Sequence, residues 1–294
     1  MSNKISRGMT KDGFVRFFLI DSTQMVEEAR KIHQTTPIST AALGRTITAA
    51  SLLGAMCKGE KEKITLQIKG SNLIKSILAV SDQSGNVKGY ISNPNVDLPL
   101  NDKGKLPVGE AVGANGKLIF IKDLGLKEPY IGNSNLVSGE IAEDLAAYFM
   151  YSEQQPSFVS LGVFINSDVK VGAAGGLIIQ VLPDAPEEVL VKLEGSLGAF
   201  PAISELIREG MSFKDMMNLA LNDFEVVFLS ENEVMYKCDC SEEKIEKVII
   251  SLGEKEITDL IEEDGKAEVV CHFCNTKYQF GIEKLQTILE KALD

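Results

Sequence analysis

Four of the chain's five cysteines fall in two tight pairs, Cys238-Asp239-Cys240 and Cys271-His272-Phe273-Cys274, with residues 241–270 between them. Cysteines that only fill a core are not spaced this way. Two short-spaced pairs joined by a long insert bring four thiols to one point, and that point dictates what the end of the chain can fold into. A module as short as residues 232–294 buries a core worth only about 3–5 kcal/mol, so a staple is expected. Four thiolates on one tetrahedral zinc ion supply it. Cys238, Cys240, Cys271 and Cys274 are therefore the expected Zn²⁺ ligands, and His272 is a flanking side chain because the four sulfurs complete the shell. Structural zinc binding is worth about 10–16 kcal/mol, more than the module's own margin, so loss of the metal should unfold it.

The Cys-x-Cys spacing is the unusual part, since a plain zinc ribbon uses Cys-x-x-Cys on both sides. One intervening residue crowds two sulfurs at the start of a helix that Ser241 caps and Gly253 closes, with Ile245, Val248, Ile249 and Leu252 on one face. A helix N-terminus and a metal both lower a thiol's pKa from about 8.5. Four thiolates on one Zn²⁺ leave a local charge of about −2, an electron-rich target for oxidants. A disulfide within Cys-x-Cys closes a strained ring, and strained disulfides are the labile, regulatory kind. On the residues alone, a purely structural zinc explains the same ligand set.

Charge narrows the alternatives. The 294 residues carry a net charge of −12, and residues 238–294 hold 14 acidic side chains against 7 lysines. Phosphate-backbone binding wants a basic face, which argues against a nucleic-acid finger. A zinc hydrolase needs an open metal position that four cysteines do not leave, so no enzyme is expected. The runner-up is a protein-interaction or nucleic-acid-binding module with a constitutive structural zinc. Free-thiol spacing and the absence of an apolar h-region near the start point to a reducing, cytoplasmic setting. No run approaches the roughly 18 apolar residues of a membrane span.

Upstream of the cysteines, the patterning predicts an α/β (α+β) N-terminal domain with a mixed sheet over residues 1–183. Strands are expected at 14–20, in the period-two region 63–92, and at 118–125, 158–166 and 176–182. Helices are expected at 23–33, 39–57 and 140–153. The 39–57 helix is apolar on most sides and must be buried; Cys57 at its end reads as a small buried hydrophobe. The run Gly172-Ala173-Ala174-Gly175-Gly176 lacks the lysine of a phosphate loop and reads as a hairpin turn or bulge. After Pro183-Asp184-Ala185-Pro186 the chain turns helical, giving a linker over 184–231. Met211, Met216 and Met217 make it either a layer packed on the first domain or an apolar surface kept covered until released. Residues 232–294 form the C-terminal four-cysteine domain.

The chain also resembles the heat-shock protein 33 family. Lys237-Cys238-Asp239-Cys240 followed by the 270–280 stretch VCHFCNTKYQF carries the resemblance, together with LGRTITAA (43–50), ITLQIKG (64–70), GNVKGYISNP (85–94), LVSGEIAEDLA (136–146) and GGLIIQVLP (175–183). It implies a cytoplasmic, ATP-independent holdase chaperone that responds to oxidative stress. In such a protein the four zinc-bound cysteines oxidise to two disulfides, which would be Cys238–Cys240 and Cys271–Cys274 here. Zinc leaves, the linker loosens, and a hydrophobic surface binds unfolded client proteins. The resemblance further implies a homodimer in the oxidised form and no membrane or nucleic-acid partner.

Overall fold

A computed structural model describes residues 3–293; Met1, Ser2 and Asp294, which the expected segment bounds include, lie outside the described residues. The chain divides into two compact units, residues 1–237 and 238–294.

The first unit is organised around the apolar helix seen in the sequence. This helix spans Pro37–Ala55 (α2, after α1 at Thr23–His33), and 16 of its 19 residues are buried. An all-round apolar helix needs partners on every side. Two five-stranded antiparallel sheets provide them. One sheet contains β3 (Lys63–Lys69), β4 (Ser76–Asp82), β5 (Val87–Ile91), β6 (Lys117–Asp123) and β7 (Tyr130–Asn135), in the order β5-β4-β3-β6-β7. In β3, β4 and β5 buried and half-exposed residues alternate, as a half-buried strand requires, and the buried face meets α2. The other sheet contains β1 (Lys4–Thr10), β2 (Val15–Asp21), β8 (Ser157–Ile165), β9 (Val171–Val181) and β10 (Val226–Glu233), in the order β10-β1-β2-β9-β8. The α+β class is as expected, with the strands sorted into two antiparallel sheets and not one mixed sheet. A short helix α3 (Val108–Val112) and a helix α4 (Ala142–Tyr151) complete this layer.

Two local expectations are corrected. The glycine-rich run 172–176 is not a turn; it lies inside β9, and the bulge reading holds only at Gly172, which the β8–β9 register skips between Val171 and Ala173. A Cβ at Gly175 would stand 2.2 Å from Ile207 Cδ1 and 2.4 Å from the Ile20 carbonyl oxygen. One at Gly176 would meet Leu161, Leu52 and Thr48 within 2.9 Å. The glycines let a central strand pass close beneath helices on both faces. The helical reading to about residue 230 also fails at its end. Residues 226–233 form a strand antiparallel to β1, with a register shift between Arg7 and Gly8.

The other face of the β2–β9 pair is covered by α5 (Glu187–Leu197), α6 (Ile203–Arg208) and α7 (Phe213–Ala220). Val15, Phe17, Leu19, Leu177 and Ile179 form one core with Val189, Leu193, Leu206, Met216 and Met217. The methionines of this segment are thus a packed layer in this structure. Beyond β10, residues 235–237 run along the edge of β5. The Val87 amide donates to the Met235 carbonyl (3.1 Å), and the Lys237 amide donates to the Val87 carbonyl (2.8 Å). Tyr236 Oη donates to the Gly89 carbonyl at 2.7 Å.

The second unit comprises α8 (Glu242–Ile250), α9 (Glu254–Asp259), a π-helical turn (Leu260–Asp264), a β11–β12 hairpin (Lys266–Val270 and Lys277–Gly281) and α10 (Ile282–Leu293). Its core holds five buried apolar side chains: Ile249, Ile257, Phe280, Leu285 and Ile288.

Candidate metal centre

All four ligand candidates belong to the second unit. Cys238 and Cys240 lie in the irregular segment that leads into α8. Ser241 caps that helix by accepting from the Lys244 amide at 3.3 Å, which fixes where Cys240 sits. Lys244 Nζ reaches back to the Asp239 carbonyl (2.6 Å) and carboxylate (2.7 Å), so the residue between the two cysteines is held from both its backbone and its side chain. Cys271 and Cys274 sit in the loop of the β11–β12 hairpin. The Cys271 amide donates to the Thr276 carbonyl (2.9 Å), and the Asn275 amide donates to the Cys271 carbonyl (2.8 Å). Asn275 takes a left-handed φ of 56°, a conformation asparagine accepts more readily than most residues. The loop therefore turns both thiols to one side.

The four Sγ atoms lie within 4.8 Å of one another. Cys238 and Cys271 sulfurs are 3.7 Å apart, and those of Cys240 and Cys274 are 3.3 Å apart. A tetrahedron with metal–sulfur bonds of about 2.3 Å has edges of about 3.8 Å, so the donor set fits one small thiophilic ion. His272 is exposed and outside the cluster. Cys57 is buried at the end of α2, far along the chain, with its thiol pushed up to about 11 by burial and by its contact with Glu62.

Two hydroxyls flank the sulfurs. Tyr278 Oη, on β12, donates to Cys240 Sγ at 3.1 Å, and Thr276 Oγ1 lies 3.1 Å from Cys274 Sγ. As free thiols, Cys238 and Cys240 are pushed up, chiefly by burial. Burial works the same way on Cys274, but the Thr276 hydroxyl and amide and the adjoining thiols outweigh it and bring Cys274 down to about 7. Bonding to Cys240 raises Tyr278 to about 12, so its hydroxyl stays a donor. A bound Zn²⁺ would supply the positive charge that keeps all four sulfurs ionised. The sequence exposed the four cysteines; the roles of Thr276 and Tyr278 it did not, although Tyr278 stands in the 270–280 signature.

The family model described as Hsp33 protein matches residues 3–281. The chain belongs to the Hsp33 family. A 33 kDa chaperonin of Alkaliphilus metalliredigens is 49% identical over 291 residues, spanning 99% of this chain and 100% of that protein. A 33 kDa chaperonin of Clostridioides difficile is 46% identical over 291 residues, spanning 99% and 100%. The crystal structure of the 33 kDa chaperonin (heat shock protein 33 homolog) from Thermotoga maritima superposes with a TM-score of 0.91 at 40% identity, covering 100% of both chains. Hsp33 membership supports a chaperone function, with unfolded proteins as the class of partner. Among the described residues, no helix is long and apolar enough to cross a membrane.

Proposed function

We propose that this Hsp33 chain is an ATP-independent cytoplasmic holdase, held inactive by Zn²⁺ on Cys238, Cys240, Cys271 and Cys274 and switched on when those sulfurs are oxidised. The observation that carries the reading is one four-sulfur cluster in a unit whose own core is five side chains. Two thiolates lose two electrons as their S–S bond forms. The peroxide O–O bond breaks, and its oxygens leave as two waters after taking up two protons. A second peroxide oxidises the second pair. With no thiolate left, Zn²⁺ departs unchanged in oxidation state.

Reach does not choose the pairing, since every sulfur lies within 4.8 Å of every other. The resemblance to the Hsp33 family implies it: oxidised pairs Cys238–Cys240 and Cys271–Cys274. Chain proximity agrees with that pairing, since a Cys238–Cys271 link would close a much longer loop at greater entropic cost. The apolar surface for clients is supplied by the α5–α7 layer and the β2–β9 face beneath it, both continuous with the core formed by Met216, Met217, Phe17 and Leu177. A surface of that size, once bared, also accounts for a homodimer in the active form.

The test treats reduced, zinc-loaded protein with peroxide. Zinc release, disulfide mapping by mass spectrometry and suppression of aggregation of an unrelated unfolding protein are followed together. Expected are two disulfides at the named pairs, one zinc released per chain, and protection by the oxidised form only. Equal protection by the reduced form, or zinc retained through full oxidation, would overturn the switch.

A further inference from the structure

A second site lies in the first unit, away from the cysteine cluster in sequence and chemistry. A cleft of about 580 Å³ opens beside the end of α2; its lining includes the apolar side chains Met56, Phe120 and Leu124 and the polar pair Arg16 and Gln180. That volume falls within the roughly 300–1,000 Å³ of small-molecule sites.

The polar groups around it are not equivalent. Both carboxylates in the cleft are already engaged. Glu153 accepts from Tyr148 Oη (2.5 Å) and Tyr130 Oη (3.0 Å). Glu62 accepts from the Lys58 amide (3.3 Å) and lies 3.9 Å from Lys122 Nζ. Arg16 has no such partner. Its Nε and Nη2 both donate to Gln180 Oε1, at 3.0 and 2.8 Å. Gln180 is itself buried (1% exposed) and is anchored by donating from Nε2 to Ser157 Oγ at 2.9 Å. A fixed amide therefore orients the guanidinium, whose carbon also lies 6.0 Å from the Phe18 ring centroid, and Nη1 makes no hydrogen bond among the described residues. Burial pulls the Arg16 guanidinium below its ordinary range.

A half-buried cation with no counter-charge is costly unless an anion meets it. Arginine's fork is suited to carboxylate. The cleft holds the cations Arg16, Lys58 and Lys122 against the acids Glu62 and Glu153, an excess of positive charge in a chain of net charge −12. The apolar floor excludes a bare inorganic anion as the best-fitting occupant. We propose that this cleft binds a small organic monocarboxylate with an apolar body, its carboxylate on Arg16 and its body on Met56, Phe120 and Leu124.

Octanoate, below its micellar range, serves as the probe in titration calorimetry on the reduced, metal-loaded full chain. Octan-1-ol carries the same body without the charge, and inorganic phosphate carries charge without the body. Expected is saturable one-to-one binding of octanoate, at least tenfold tighter than octan-1-ol or phosphate. Methyl resonances of Met56 and Leu124 should shift on binding, and Arg16→Gln should weaken octanoate at least tenfold with octan-1-ol unaffected. Absence of saturable octanoate binding overturns the proposal. So does equal affinity for octanoate and octan-1-ol in the unaltered protein, a comparison that needs no variant to fold.

Discussion

Tyr278 shows how far a single hydroxyl reaches at the metal centre. It donates to Cys240 Sγ from a strand whose next buried residue, Phe280, belongs to the unit's core. Partners of this outer kind orient ligands and typically carry about 10–100-fold in metal affinity. Tyr278→Phe keeps the ring and removes only the donor. Zinc transfer to a chromophoric chelator should therefore show affinity falling by about 10-fold or more. Gln279→Ala, on the adjacent exposed position, should leave it unchanged. Equal affinity in Tyr278→Phe and the unaltered chain would strip the hydroxyl of this role. At the opposite extreme of side-chain size, Gly175 admits nothing. A methyl there meets the backbone oxygen of Ile20, which cannot swing aside as a side chain can. Gly175→Ala should destabilise the first unit by about 1–3 kcal/mol, read as a lower urea midpoint. A midpoint equal to that of the unaltered chain would mean that β9 can shift without strain.

Among elements, α8 and α10 are tied by Glu246, whose carboxylate meets Lys284 Nζ at 2.5 Å and Lys291 Nζ at 3.1 Å. Bonding to Lys284, then to Lys291, holds the Glu246 carboxyl below its ordinary range. A folded pKa that is depressed contributes stability fully present above the unfolded value of about 4.3, and lost as pH falls through the folded one. The difference in melting temperature between the unaltered chain and Glu246→Gln should therefore be largest near neutrality and shrink as pH falls below about 4.3. A constant difference down to pH 3 would remove charge from the explanation. Elements with local signals were legible in the sequence. The all-apolar α2, the alternating β3–β5 and the Ser241 cap of α8 each carry their pattern within a few residues. β10 was not legible, because what makes residues 226–233 a strand is β1, more than two hundred residues earlier. Nor was β9, where glycines signal a turn locally and close packing only once Ile20 and Ile207 are in place. The cysteine cluster stood out because chain spacing alone brings the thiols together. Its two hydroxyls did not, since their role depends on where a hairpin places Thr276 and Tyr278.

For the molecule as a whole, the two units differ in what holds them together. The first has α2 and two sheets around a core of dozens of buried side chains, with a second core under α5–α7. The second has a core of five buried apolar side chains among the described residues. A core of that kind yields about 3–5 kcal/mol at best, whereas zinc on four thiolates is worth about 10–16 kcal/mol. Removing the metal therefore takes away more than the second unit's entire margin and leaves the first unit's packing intact. Chelator with reductant should collapse the amide resonances of residues 241–292 to unfolded positions. Amides of β3, β4 and β6 should keep their protection from exchange. Trypsin should then cut at Lys244, Lys247, Lys255 and Lys266, with the sheets of the first unit resisting. Replacing Cys238, Cys240, Cys271 and Cys274 by serine should reproduce this pattern without chelator and make it insensitive to added zinc. One cooperative transition, with both units losing protection together on metal removal, would show instead that the second unit's stability is not separable and that the metal staples the whole chain.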